Sequence, residues 1–161
     1  AHSANITLPV ISAVLEKNNS RRALVLSYLE RRLGTLQGKK ITVFGLTYKP
    51  GTSTLRRALS LEVISLLEKR GALIRAYDPV IEKLNEGEST SVQLCADPYD
   101  AAHGSHAIIF ITSWPEFKKI DFKVLKASMV SPYFFFDTRN FFIDQENEIK
   151  SHGFTYCGLG R

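Results

Sequence analysis

At 161 residues, 44% hydrophobic and 23% charged, the chain is sized for one domain that buries most of the surface its unfolded form exposes. Its longest apolar runs, such as Ala107 to Ile111 and Tyr133 to Phe136, are strand-sized and too short to span a bilayer, so no membrane partner is expected. The net charge of +5 suits an anionic ligand; without an RNP, helix-turn-helix or zinc-finger pattern, nucleic acid is not an expected partner.

Residues 1–7 read as a lead-in, with Thr7 and Pro9 suited to open a helix. Val10, Ile11, Val14, Leu15, Leu24, Val25, Tyr28 and Leu29 recur at helical spacing and predict a helix reaching Leu33, interrupted at Asn18-Asn19-Ser20 and ended by Gly34 and Gly38. Arg21, Arg22, Arg31 and Arg32 fall on its solvated face. Ile41 to Phe44, closing at Gly45, has the apolar continuity of a buried parallel strand. A rigid turn follows, Leu46 to Gly51, carrying Tyr48 beside Lys49, and Ser53 to Arg56 leads into an amphipathic helix over Ala58 to Arg70. Leu59, Val63, Leu66 and Leu67 are its expected inward residues. Leu73 to Tyr77 forms a second strand closed by Asp78-Pro79, and this strand-helix-strand order predicts a right-handed crossover.

Leu84 to Ser91 reads as a polar loop, Val92 to Cys95 as a short strand and Pro98 to His103 as a short helix. Ala107 to Thr112 is the next strand, and Trp114 to Phe117 a turn into a helix. Phe122 to Ala127 is helical, Tyr133 to Asp137 a strongly aromatic strand, Ile143 to Ser151 helical, and Phe154 to Cys157 the last strand. The sum is an α/β fold: a doubly wound, mainly parallel, Rossmann-like sheet of about six strands, preceded by a long helix. Residues 1–37 make the lead-in and connecting helix, and 38–161 the α/β domain.

Strand ends supply the candidate chemistry. Tyr48, Lys49 and Arg56 follow the first strand, Asp78 the second, and Asp137, Arg139 and Asn140 the aromatic one. In a parallel sheet Lys49 and Arg139 project from one edge, where two cations can clamp a phosphate or diphosphate. The alternative is that Arg139 pairs with Asp137 or another carboxylate and stiffens its loop. The dinucleotide fingerprint G-x-G-x-x-G is absent after the first strand, so Asp78, placed where a ribose-binding acid would sit, reads instead as a turn cap before Pro79. Cys95 and Cys157 lie far apart without CxxC or His spacing, which argues against structural zinc and for a reduced, cytoplasmic chain in which both act as small hydrophobes. The four histidines show no metal or triad grammar, and Trp114-Pro115 reads as a packing corner.

In order along the chain, GLTYKPGTSTLR, GALIRAYDP, AIIFITSWPEF, FFFDTRN and GFTYCGLGR resemble the C-terminal domain of the UDP-glucose/GDP-mannose dehydrogenases, from about Pro9 to Arg161. Asn19 matches an Asn of that family's connecting helix. The resemblance implies part of an NAD-dependent enzyme that oxidises the C6 alcohol of a nucleotide sugar, a UDP-sugar or GDP-mannose, to a carboxylate, and that is a homodimer at full length. It implies that Tyr48, Lys49 and Arg139 contact the nucleotide sugar and that Arg56 lies near the NAD diphosphate. The alternative is a non-catalytic nucleotide-sugar-binding or regulatory module.

Four departures stand out. Ser53-Thr54 replaces an Asp-Asp pair, Arg57 an acidic residue, Thr138 a glycine beside Arg139, and Ser113 a glutamate before Trp114. The family's G-G-x-C-x-P-K-D context and NAD fingerprint are absent from these residues. The resemblance therefore places the catalytic cysteine and most NAD contacts in an N-terminal domain, and the chain alone is expected not to turn over. No catalytic residue and no metal site are expected within it.

Overall fold

The computed structural model describes residues 22–84 and 91–160. The helix start at Thr7 and Pro9, the apolar positions from Val10 to Leu15, Asn18-Asn19-Ser20 with its Asn19 match, Arg21 and most of the Leu84–Ser91 loop lie outside those residues.

Six strands form one sheet in the order β3-β2-β1-β4-β5-β6, and every neighbouring pair is parallel. They are β1 (Lys40–Phe44), β2 (Leu73–Tyr77), β3 (Gln93–Leu94), β4 (Ala107–Phe110), β5 (Phe134–Asp137) and β6 (Thr155–Gly158). The order in which strands are laid down reverses between β1 and β4, the switch point at which open α/β sheets form a crevice.

Alternation along each strand divides the core into two layers. Ile41 and Val43 of β1, Ala107 and Ile109 of β4, and Phe134 and Phe136 of β5 face one side. A helix over residues 22–33 (α1) and α2 (Leu59–Glu68) cover that side. Phe44, Ile108, Phe110 and Phe135 face the other, under α3 (Pro98–Ala102), α4 (Phe122–Ser128) and α5 (Glu146–Ser151). The run of phenylalanines thus serves both layers. Phe136 stacks on Tyr28 of α1 at 5.3 Å, while Phe135 packs against Phe110 at 4.8 Å and Phe142 at 5.2 Å.

Caps set several helix starts. Asp97 accepts from the amides of Tyr99 (2.8 Å) and Asp100 (2.9 Å), and Asp121 from those of Lys123 (2.9 Å) and Val124 (3.1 Å). One polar pin crosses the second layer: Thr42 Oγ1 donates to the Ala101 carbonyl at 2.6 Å and lies 2.6 Å from Ser105 Oγ.

The elements follow the expected order, with local differences. In α1 the inward stripe is Val25, Leu26 and Leu29, and Leu24 is 39% exposed, because the helix turns its 25-26-29 face to the sheet. In α2 the buried residues include Ile64 and Ser60, while Leu59 and Leu66 are half-buried. The segment after Trp114 forms a 3-10 turn, Pro115–Lys119, separate from α4. Residues Ile143 to Gln145 do not join α5. There the chain turns so that Phe142 is buried and its amide donates to Asp137 Oδ2 at 2.8 Å.

Candidate functional site

The edge formed by the C-terminal ends of β1, β4 and β5 is built around two buried carboxylates, Asp78 (3% exposed) and Asp137 (0%). Asp78 Oδ2 accepts from the amides of Leu46 (2.7 Å) and Thr47 (3.1 Å), from Thr47 Oγ1 (3.2 Å) and from Trp114 Nε1 (3.1 Å). Its Oδ1 accepts from the Val80 amide at 3.1 Å. The cap before Pro79 is therefore real, and it is the smaller part of what Asp78 does. The larger part is to fasten the exit of β1 to the end of β2 and to Trp114. Oδ2 is saturated, and the carboxylate as a whole is 3% exposed, which leaves it poorly placed for a ribose and agrees with the missing glycines.

The β1 exit is constrained from other directions too. Gly45 has φ +83°, and a Cβ there would lie 2.6 Å from the Thr112 carbonyl oxygen. Only a residue without a side chain lets β1 and β4 approach this closely. Thr112 Oγ1 donates to the Thr47 carbonyl, and Ser60 Oγ to the Leu46 carbonyl. Beyond this anchor the loop closes on itself, the Tyr48 amide donating to the Thr54 carbonyl at 2.9 Å and Thr52 Oγ1 to the Lys49 carbonyl at 3.0 Å. Leu55, 7% exposed, ties the far end to the core. Between these anchors Tyr48 (58% exposed), Lys49, Arg56 and Arg57 extend into solvent.

Asp137 plays the matching part after β5. It accepts from the Arg139 amide (Oδ1, 3.0 Å), the Phe142 amide and Tyr156 Oη (Oδ2, 2.9 Å). Asp137 therefore holds the Arg139 backbone and not its guanidinium. Arg139 Nε donates to the Ile111 carbonyl at the end of β4, 2.8 Å away, which leaves both terminal nitrogens for an outside acceptor. Thr138 Oγ1 donates to the Phe110 carbonyl at 2.7 Å, so the β-branched residue beside Arg139 adds a tie to β4.

The structure places the four expected residues on one sheet edge and brings two of them, Tyr48 and Arg56, to one cavity. Tyr48 and Arg56 line it, with Thr54 and Arg57, over about 380 Å³. Lys49 and Arg139 follow strands separated by β4, two strand spacings or about 10 Å apart.

The exposed cations of this edge take part in no ion pair among the described residues. The ion pairs of the described residues, Arg22–Glu62, Arg70–Glu30, Arg75–Asp100, Lys118–Asp144 and Lys150–Glu146, include none of Lys49, Arg56, Arg57 or Arg139. Asp78 and Asp137 spend their oxygens mainly on amides. Residue spacing does not reveal Asp78 and Trp114 as supports of the site, or Arg57 as part of the cavity. The Asp-Pro at the end of β2 is the one local signal.

Neither cysteine offers a nucleophile. Burial pushes both thiols up, against the opposing pull of Arg75 on Cys95 and of Arg32 and Arg31 on Cys157. Cys95 is buried as expected, whereas Cys157 is half-buried beside Arg31, Arg32 and Tyr156. Among the described residues no group of three or more His, Cys, Asp or Glu could hold a metal ion, and no helix is long and apolar enough to cross a membrane.

Comparison with known proteins agrees with this picture. The profile of the UDP-glucose/GDP-mannose dehydrogenase family, UDP binding domain, matches residues 42–144. The chain is 35% identical to the UDP-glucose 6-dehydrogenase of Rhizobium meliloti over 94% of its own length and 34% of that protein. It is 32% identical to UDP-glucose 6-dehydrogenase TuaD of Bacillus subtilis over 100% of its length and 34% of that protein. Among solved structures, a UDP-glucose dehydrogenase from Pyrobaculum islandicum superposes with a TM-score of 0.68 at 32% identity, covering 75% of this chain and 28% of that one. The UDP-N-acetyl-mannosamine dehydrogenase Cap5O of Staphylococcus aureus does so with a TM-score of 0.69 at 26% identity, covering 90% and 31%. The chain spans about a third of the length of the curated relatives it matches.

Proposed function

This chain belongs to the UDP-glucose/GDP-mannose dehydrogenase family through its UDP-binding domain, and from that membership we propose that it forms the nucleotide-sugar half of an NAD-dependent 6-dehydrogenase oxidising a sugar C6 alcohol to a carboxylate. The observation that carries the reading is the set of exposed cations, Lys49, Arg56, Arg57 and Arg139, outside every ion pair of the described residues and carried on rigid anchors. Lys49 meets the diphosphate as a point charge, and Tyr48 covers the nucleotide sugar with its exposed ring. Arg139, steadied through Nε by Ile111, offers its two terminal nitrogens as a fork to phosphate or ribose oxygens.

A UDP-sugar is favoured over GDP-mannose by the relatives' names. The ligand-binding unit is 38–161 and the preceding residues connect it to the rest of a longer chain, which we infer to be a cytoplasmic homodimer. Arg56 fits a diphosphate of NAD, because its guanidinium has no acidic partner among the described residues and it shares a cavity with Tyr48 and Thr54. NAD when bound accepts hydride from the sugar carbon. This chain's residues hold and orient phosphates, and the cysteine chemistry belongs to the N-terminal domain.

Calorimetric titration of the chain with UDP, UDP-glucose, UDP-N-acetylmannosamine and GDP-mannose tests the reading. Saturable binding weakened about tenfold or more by Lys49→Ala and by Arg139→Ala is expected, the value of one lost charge-assisted contact. Absence of saturable binding to all four ligands would reject it.

A further inference from the structure

The segment from Gly45 to Leu61 contains no acidic residue, yet it carries Lys49, Arg56 and Arg57. The next carboxylate, Glu62, is already paired with Arg22. Arg57 stands at φ 59°, a left-handed conformation that an L side chain other than Asn or Asp rarely adopts. Consecutive side chains on extended backbone point to opposite sides, whereas here Arg56 and Arg57 line the same cavity of about 380 Å³. Neither guanidinium has an ion pair or hydrogen bond among the described residues. Two like charges are thus held on one wall, over a backbone conformation that costs stability, with nothing among the described residues to neutralise them. Strain that persists without a structural return marks a ligand clamp.

We propose that Arg57 is the second guanidinium of a diphosphate subsite that it forms with Arg56, walled by Tyr48 and Thr54, and that it sets the preference of this subsite for a diphosphate over a monophosphate. Two planar forks on adjacent residues match two phosphoryl groups, where one fork matches one. The inference rests on the proposed function in one respect: the nucleotide sugar occupies the neighbouring positions, Lys49 and Arg139.

The test titrates the chain with inorganic pyrophosphate, orthophosphate and UDP at low ionic strength, using wild type, Arg57→Gln, Arg57→Gly and Lys49→Ala. Pyrophosphate is expected to bind wild type at least about tenfold more tightly than orthophosphate, and Arg57→Gln to lose about that factor. UDP affinity stays within about twofold in both Arg57 variants, since one exposed charge at a distance is worth little. Arg57→Gly relieves the left-handed strain, so it melts at a higher temperature than wild type while losing pyrophosphate as Arg57→Gln does. Unchanged pyrophosphate affinity in Arg57→Gln overturns the proposal, and so does a parallel loss of UDP, which would put Arg57 in the nucleotide-sugar site. Pyrophosphate loss confined to Lys49→Ala also overturns it. Failure of wild type to bind UDP, UDP-glucose, UDP-N-acetylmannosamine and GDP-mannose alike is a separate result and rejects the proposed function instead. Displacement of pyrophosphate by NAD identifies a dinucleotide as the source of the diphosphate, and its absence identifies a free diphosphate.

Discussion

Asp78→Ala is the substitution that most directly tests how the site is held. Four donors converge on Oδ2, from Leu46, Thr47 (twice) and Trp114, and a fifth, from Val80, on Oδ1. The four on Oδ2 lie where water cannot replace the carboxylate, Thr47 being 1% and Trp114 6% exposed, whereas Val80 is 44% exposed and its amide can turn to water. A buried donor left without its acceptor costs about 1–3 kcal/mol. The five are not additive, because Thr47 Oγ1 and Trp114 Nε1 lie 3.1 Å apart and the hydroxyl can take the indole proton. A net loss of about 3–5 kcal/mol follows, the range for breaking a buried charge network. For a domain of this size that lowers the melting temperature by roughly 6–20 °C. Circular dichroism melts combined with UDP titration check it: the variant should melt earlier and, at a temperature where it is folded, bind UDP more weakly, because the Tyr48–Lys49 loop loses its anchor. Asp78→Asn should fall between, keeping one acceptor. A melt within about 2 °C of wild type would refute the claim that this carboxylate anchors the loop. A loss of dinucleotide affinity at unchanged stability would instead revive the ribose role.

Gly45→Ala should cost about 2–4 kcal/mol by denaturant titration, combining positive φ with a 2.6 Å approach to rigid Thr112 backbone; an unchanged midpoint would contradict the close β1–β4 approach. Phe135→Ala should cost about 3–5 kcal/mol, because its ring is buried among Phe110, Phe142, Phe154 and Tyr156, and the fluorescence of Trp114 reports the transition. Burial, with help from Lys39, lowers the pKa of His106, whose buried Nδ1 has no hydrogen-bond partner among the described residues. The folded state therefore prefers neutral imidazole. Its contribution to stability is complete above the unfolded value near 6.5 and declines as pH falls through and below it. Melting temperatures between about pH 7.5 and 5 should show a shallower decline in His106→Gln than in wild type, and equal slopes would dismiss the titration.

Much of the architecture is legible from short-range pattern. Leu73–Tyr77 is bounded as its sequence predicts, and the other strands and short helices differ from expectation only by a few residues at their ends. Alternation in a strand and capping by Asp97 or Asp121 act over two or three residues, so the code for them is local. The misplacements have a shared origin. Leu24 against Leu26, and Leu66 against Ile64, differ by a rotation of an amphipathic helix that both choices satisfy, and the neighbouring layer decides between them. Ile143 to Gln145 leave the expected helix because the chain just before them is held by the burial of Phe142 and by the bond from its amide to Asp137.

The sequence by itself determined an α/β chain with a parallel sheet, and so placed Lys49 and Arg139 on one edge, because parallel strands align all their C-terminal ends. It could not assign the bonds that make that edge a site. Asp78 reaches Leu46 across 32 residues, Trp114 reaches Asp78 across 36, and Arg139 reaches Ile111 across 28. Such partners meet only after the crossovers have packed, and no periodicity encodes them. Tertiary structure alone decided that Asp78 is a fastener, that Arg139 keeps both terminal nitrogens unbonded among the described residues, and that Arg57 joins Arg56 in a cavity. Each outcome rests on which buried donors and acceptors the folded layers bring within hydrogen-bonding distance, and on which charges they leave without a partner.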